Sequence, residues 1–251
     1  MSKKKICVVV NSRANYGRIK TFLAAVQRHP ALELQLIVGA SAMLYRFGAV
    51  IDIIREDGFD PVSVVYSIVE GETPATMAKS TGLGILELAS QLENLKPDVV
   101  LTVADRFETL ATAVAASYMN IPVAHTQGGE FTGSIDESVR HAITKLSHIH
   151  FPSTRRAGKV LEQLGEDPAS IFVVGCPAMD LAAEACQVDC GDLFHKYGGT
   201  GIGLDWNKPF LVVLQHPVTT EYREAYEQTW QTLEAIKRTS MQTAWFWPNV
   251  D

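Results

Sequence analysis

Cysteine is scarce and scattered. Four occur in 251 residues, at Cys7, Cys176, Cys186 and Cys190. In a chain this long, that argues against the disulfide framework of a small secreted domain. Cys186, Cys190 and His195 do not have the spacing of a common zinc site, and no fourth ligand is evident, so they read as ordinary reduced thiols and no metal is expected. Positive charge is also short: 22 Lys and Arg stand against 28 Asp and Glu, for a net charge of −6. With no long basic run, there is no footprint for nucleic acid. Long apolar runs are missing too. After Lys3–Lys5, the run "ICVVV" ends at Asn11, short of the roughly 7–15 residues of a signal peptide core. Nothing approaches the 18 or so apolar residues of a membrane helix, so no membrane partner and a cytoplasmic location are expected. Two phosphate-binding fingerprints are lacking: neither G-x-G-x-x-G nor G-x-x-x-x-G-K-[ST] follows the first strand, which disfavours a dinucleotide or an NTPase. The segment "GGTGIG" (198–203) follows no strand and opens no helix, and so reads as linker.

Alternation is what the chain does have. Strand-like runs at 5–10, 32–39, 63–69, 98–104, 121–126, 148–153 and 171–175 are separated by helix-periodic segments. The clearest of these are Arg18–Arg28, Met77–Leu95, Phe107–Met119, Asp136–Ser147 and Arg156–Leu164. Runs such as "DVVLTVA" are apolar on both faces, as in a parallel strand covered by helices. The fold class expected is α/β, a doubly wound, Rossmann-like parallel sheet.

The domain reading is 1–185 for this first domain, 186–209 as a Gly-rich linker, and 210–251 as the beginning of a second Rossmann-like domain. That last stretch holds a strand (210–216), a helix (224–238) and a strand (243–251). A unit of about forty residues cannot bury a core of its own, so the second domain is expected to be truncated here.

Ligands of open α/β sheets bind outside the carboxyl ends of the strands. Arg13 and Lys20 follow the first strand, and Asp105 and Arg106 follow "LTVA". His125, Gln127, Gly128, Gly129 and Glu130 lie in or after "IPVA", ahead of the helix that carries Asp136 and Arg140. His216 follows "FLVVLQ". Arg13, Lys20 and Arg106 suit phosphates, and helix N-termini on the same edge favour anions. Asp105, Glu130, Asp136 and His216 suit proton transfer. Each residue has a plainer alternative. Asp105 could cap the next helix, Arg140 and His141 could pair with acids one turn back, and Glu137 could be a solvated first-turn acid. His148 and His150 read as structural. Their joint placement on one sheet edge favours a site for an anionic ligand with acid–base chemistry.

The segments "SRANYG", "ADRFETLA", "HTQGGEFTGSIDESVRHAITKLSHIHF", "LGEDPASIFVVGCPAMD" and "LQHPVTTE" together resemble the hydrolysing UDP-N-acetylglucosamine 2-epimerases. That family's fold is similar to the two-domain B-type glycosyltransferases, of which this chain would be the N-terminal half. The resemblance implies cleavage of a UDP-sugar substrate, UDP-GlcNAc, to UDP and ManNAc, with UDP eliminated to a glycal and water added with inversion at C2. It implies no cofactor, and a product used in sialic- or legionaminic-acid-type surface sugars. On the matching motifs, Arg13 corresponds to a nucleotide-binding arginine, and Asp105, Asp136 and His216 to catalytic positions. Glu130 is assigned with the catalytic group, and Lys20, Arg106, Gln127, Gly128 and Arg140 with substrate binding. Many members have Glu where this chain has Gln127, and Asp where it has Asn15. A homo-oligomer, dimer or tetramer, is expected. The alternatives are the same reaction on UDP-2,4-diacetamido-2,4,6-trideoxy-glucose, a non-hydrolysing 2-epimerase, and an inactive truncated sugar-nucleotide-binding fragment.

Overall fold

The computed structural model describes residues 2–71, 73–185 and 199–248. The contact pattern divides the chain into two compact units, Met1–Ala182 and Ala183–Asp251.

The first unit is a six-stranded, wholly parallel sheet in the order β3-β2-β1-β4-β5-β6. The strands are β1 (Lys4–Val10), β2 (Leu32–Gly39), β3 (Ser63–Val65), β4 (Val99–Val103), β5 (Val123–Thr126) and β6 (Ile149–Phe151). The helices of this unit are α1 (Arg13–Gly17), α2 (Lys20–Arg28), α3 (Val50–Glu56), α4 (Pro74–Leu95), α5 (Phe107–Tyr118), α6 (Ile135–Leu146) and α7 (Arg155–Gln163), and α8 (Pro177–Ala185) runs across its end. Alternation along each strand divides the core between two faces. Val8, Val10, Leu36, Val38, Leu101 and Val103 pack with Ile19 and Leu23 of the α2 region and with Val50, Ile51 and Ile54 of α3. Cys7, Val9, Ile37, Val100 and Val123 face the opposite way, onto Leu88 and Leu92 of α4 and Ala111, Ala115 and Ala116 of α5. The alanines let α5 approach closely. A Cβ on Gly84 of α4 would come within 3.0 Å of the Ala111 Cβ.

Several element boundaries differ from the sequence expectation, each for a local reason. Helix α4 begins at Pro74 rather than Met77. Thr73 accepts from the Thr76 N–H and Thr76 caps Thr73 in return, and proline is at home in a first turn. The strand expected at 63–69 stops at Val65, and the Val69 N–H is taken by the Ser80 hydroxyl at 2.9 Å. The run 171–175 forms only an isolated bridge, Ile171 to His150. Pro152, just past the edge strand β6, has no N–H with which to continue the ladder. Helices α1, α3 and α8 were not expected; two of them are short.

The strand order reverses between β1 and β4, which makes this the topological switch point where doubly wound sheets bind ligands. Just past β2, β4 and β5, at the carboxyl edge, the non-glycine residues Ala40, Ala104 and Gln127 adopt φ of 48°, 63° and 62°. Left-handed backbone at such positions is strained and concentrates at functional sites.

In the second unit, β7 (Phe210–Leu214) pairs in parallel with β8 (Gln242–Phe246), with α9 (Ala225–Thr239) between them in the chain. None of the residues from 199 to 248 whose burial is described is buried. The positions of Cys186, Cys190 and His195 lie outside the described residues. Among the described residues, no helix is long and apolar enough to cross a membrane, and no group of three or more His, Cys, Asp or Glu is placed to hold a metal ion.

Candidate active site

The centre of the site is a buried arginine. Arg140 projects from α6 and is 3% exposed. Its Nη1 donates to the Glu130 carbonyl at 2.7 Å and its Nη2 to the Asp105 carboxylate. It therefore ties the end of β4 to the end of β5. Desolvation, and secondarily the charge of Arg18, push the Arg140 pKa down to about 10, so it remains a cation at neutral pH. Two of the plainer alternatives fail here. Arg140 does not pair one turn back on its own helix, and Asp105 does not cap α5, whose N-cap is Arg106 with no side-chain cap bond.

The loop after β5 is shaped by its glycines. Gly129 has φ of +78°, and a Cβ there would lie 2.2 Å from the Ala157 carbonyl oxygen, so only glycine fits. Gly128 lies against Thr144, His125 and Leu161. Beneath the loop, His125 is fully buried. Its Nε2–H donates to the Ala104 carbonyl at 2.7 Å, and its Nδ1 lies 3.4 Å from the Thr144 hydroxyl. Burial pushes its pKa down to about 4, so it is neutral at pH 7 and serves as a strut under Gly128 and the left-handed Ala104.

Gln127 spans the floor of the site at 5% exposure. Its Oε1 accepts from Arg18 Nη1 at 2.8 Å, and its Nε2 donates to the Cys176 sulfur at 3.2 Å. Asn15 is 2% exposed and accepts the Asn11 N–H at 3.2 Å, a task for which an amide suffices. The acids of α6 divide their roles. Ser134 is the N-cap and also donates to Asp136 at 3.3 Å. Glu137 accepts the Thr132 and Gly133 N–H groups, both at 2.9 Å, and these bonds lower its pKa. It is therefore a loop-shaping acid.

The structure thus brings Asp105, Glu130, Gln127, Gly128 and Arg140 together on the carboxyl edge. Asp136 begins the first turn of α6, and the exposed Arg13 begins α1 at the end of β1. Among the described residues the Glu130 carboxylate forms no ion pair, and neither does Arg13. Two expected phosphate ligands are paired with acids. Lys20 Nζ lies 2.6 Å from Asp57, which also accepts the Tyr16 hydroxyl. Arg106 is only 7% exposed and donates from Nε to Glu108 at 2.9 Å. His216 lies in the second unit, just past β7. Sequence reasoning placed His125 on this edge without a role, and assigned no role to Arg18 or Cys176. Arg18 caps the end of α1, the helix that Arg13 begins, but only the fold reveals that it reaches Gln127. His150 is structural, as expected: it is 1% exposed and its Nε2 lies 3.2 Å from Glu166.

A family model described as UDP-N-acetylglucosamine 2-epimerase matches residues 24–251. The chain is 33% identical over 248 residues to a UDP-N,N'-diacetylbacillosamine 2-epimerase (hydrolyzing) of Legionella pneumophila, covering 99% of this chain and 64% of that protein. It is 30% identical over 248 residues to a UDP-N-acetylglucosamine 2-epimerase of Neisseria meningitidis, covering 99% and 63%. The crystal structure of UDP-GlcNAc 2-epimerase from Neisseria meningitidis bound to UDP-GlcNAc superposes with a TM-score of 0.81 at 18% identity, covering 98% of this chain and 66% of that one. The fold is therefore that of these two-domain, B-type glycosyltransferase-like proteins, and the chain spans less than two thirds of the length of the two sequence relatives.

Proposed function

This chain belongs to the UDP-N-acetylglucosamine 2-epimerase family, and from that premise we propose that it supplies the sugar-handling site of a hydrolysing 2-epimerase. The reaction is a UDP-2-acetamido sugar plus water to UDP and the free sugar inverted at C2. A base takes the C2 proton while the C1–O bond to UDP breaks, leaving a glycal. Water then adds across the double bond, hydroxyl to C1 and proton to C2. The observation that carries this reading is the cluster at the switch point: one buried arginine holds the Asp105 carboxylate and the Glu130 backbone carbonyl, beside two arginines with no acid partner among the described residues.

In this reading Asp105, oriented by its contact with Arg140, is the proton acceptor. Glu130, with its carboxylate unpaired, is the second proton-transfer group. Arg13 and Arg18 receive the departing diphosphate. Asp136, and His216 of the second unit, keep the catalytic roles that the resemblance implies for them. Gly128 and Gly129 let backbone approach the sugar. Lys20, paired with Asp57, and the buried Arg106 are not assigned to phosphate.

The substrate has two readings within one chemical class. UDP-GlcNAc is the first. A UDP-2,4-diacetamido-2,4,6-trideoxy sugar is the second, favoured by the description of the Legionella pneumophila relative. The test incubates the 251-residue chain, and a form extended to the length of its relatives, with each sugar nucleotide in deuterated water. Proton NMR showing UDP and a free sugar deuterated at C2 is the expected result. A UDP-linked epimer as the stable product refutes hydrolysis. No turnover of either substrate by the extended form refutes the reading.

A further inference from the structure

Gln127 poses a question of charge. Its side chain is buried, its backbone is held left-handed at φ of 62°, and both ends of its amide are engaged. The oxygen accepts from Arg18 at 2.8 Å and the nitrogen donates to Cys176 at 3.2 Å. A glutamate has the same shape and would accept from Arg18 more strongly, as a charge-assisted pair. Shape therefore does not account for the amide.

Arg18 is an exposed residue with no carboxylate partner among the described residues, and its charge bears on Arg140, whose own charge is balanced by Asp105. An acid at position 127 would relieve this repulsion and stabilise the protein. The neutral amide instead orients the Arg18 guanidinium and leaves its charge uncancelled.

We propose that Gln127 is a charge-sparing positioning residue: it aims Arg18 at the anionic leaving group without neutralising it. This rests on the reading of the site as one for a UDP-sugar. It carries a signature that a purely structural role lacks, because stability and anion affinity move in opposite directions on Gln127→Glu. The new carboxylate pairs with Arg18, so the melting temperature is unchanged or raised. UDP binding weakens by about tenfold or more, because a like charge is placed a few ångströms from the anion. The salt dependence of binding flattens, since one cationic contact has been cancelled. Turnover loses kcat/KM mainly through KM. Arg18→Gln gives the same loss of affinity and the same flattening, and the double variant is no weaker than Arg18→Gln alone.

The experiment titrates the extended form and its variants with UDP, at low and high salt, by calorimetry. Wild-type affinity and salt dependence in Gln127→Glu overturn the proposal. If Gln127→Glu does not fold, Arg18→Gln decides it, and wild-type UDP affinity there is equally fatal. Failure of the wild-type protein to bind UDP at all overturns the UDP-sugar reading and this inference together.

Discussion

Removing Arg140 tests the central joint of the site. In Arg140→Met the methionine fills much of the arginine's volume but restores neither of its contacts. The Glu130 carbonyl loses a 2.7 Å donor, worth about 1 kcal/mol. The larger effect falls on Asp105, whose side chain is 15% exposed and is left ionised without its partner. Stranding a fully buried charge costs about 3–5 kcal/mol, and the partial exposure here brings that to about 2–3 kcal/mol. The expected total is about 3–4 kcal/mol, read by urea unfolding. Asp105→Asn on top of Arg140→Met removes the stranded charge and recovers about 2 kcal/mol, and because Asp105→Asn alone costs stability by leaving Arg140 without its acid, the double-mutant cycle gives a coupling of at least that size. A single-variant cost under about 1 kcal/mol, with no coupling at any pH, would show that Arg140 does not hold Asp105, and the reasoning would fail.

Three further outcomes are expected. Glu130→Gln lowers turnover by about 10²–10⁴-fold while UDP affinity and melting temperature hold, because no ion pair is lost with the carboxylate; steady-state kinetics beside thermal melts check this. Gly129→Ala, forced to accept φ of +78° and a backbone contact at 2.2 Å, loses about 2–4 kcal/mol. Gly128→Ala meets mainly side-chain atoms at 3.1 Å or more and loses less. His125 resists protonation when folded, because burial pushes its pKa from the ordinary imidazole value of 6.5 down to about 4. Its contribution is retained above the unfolded value and lost as pH falls from 6.5 towards 4, by a total of about 3 kcal/mol. Denaturant unfolding across that range shows the slope, and His125→Asn reduces it.

The doubly wound fold was legible in the chain because its signals are local. Strands such as "ICVVV" and "DVVLTVA" are apolar on both faces, and that pattern arises only where helices cover both sides of a parallel sheet. The carboxyl-edge location of the site followed from the same alternation, because a parallel sheet collects every strand end on one edge. Gly129 also belongs to what the sequence determined: a glycine pair after a strand announces a turn that side chains cannot make. The edges of the sheet were harder to read. Pro152 and the Ser80 hydroxyl ended strands at 171–175 and 63–69 by denying or diverting a ladder bond, and neither effect shows in hydropathy.

Pairing was decided by tertiary structure alone. Nothing in the sequence says that Arg140 answers Asp105, 35 positions away, rather than the acids on its own helix. Nor does it say that Lys20 turns to Asp57, or that Arg18 reaches Gln127 across 109 positions. Charged side chains carry no periodic signature of their partners. Which cation is neutralised and which stays open to an anion depends on distances set only once the sheet has folded, and in this site those distances separate the structural charges from the ones left for a ligand.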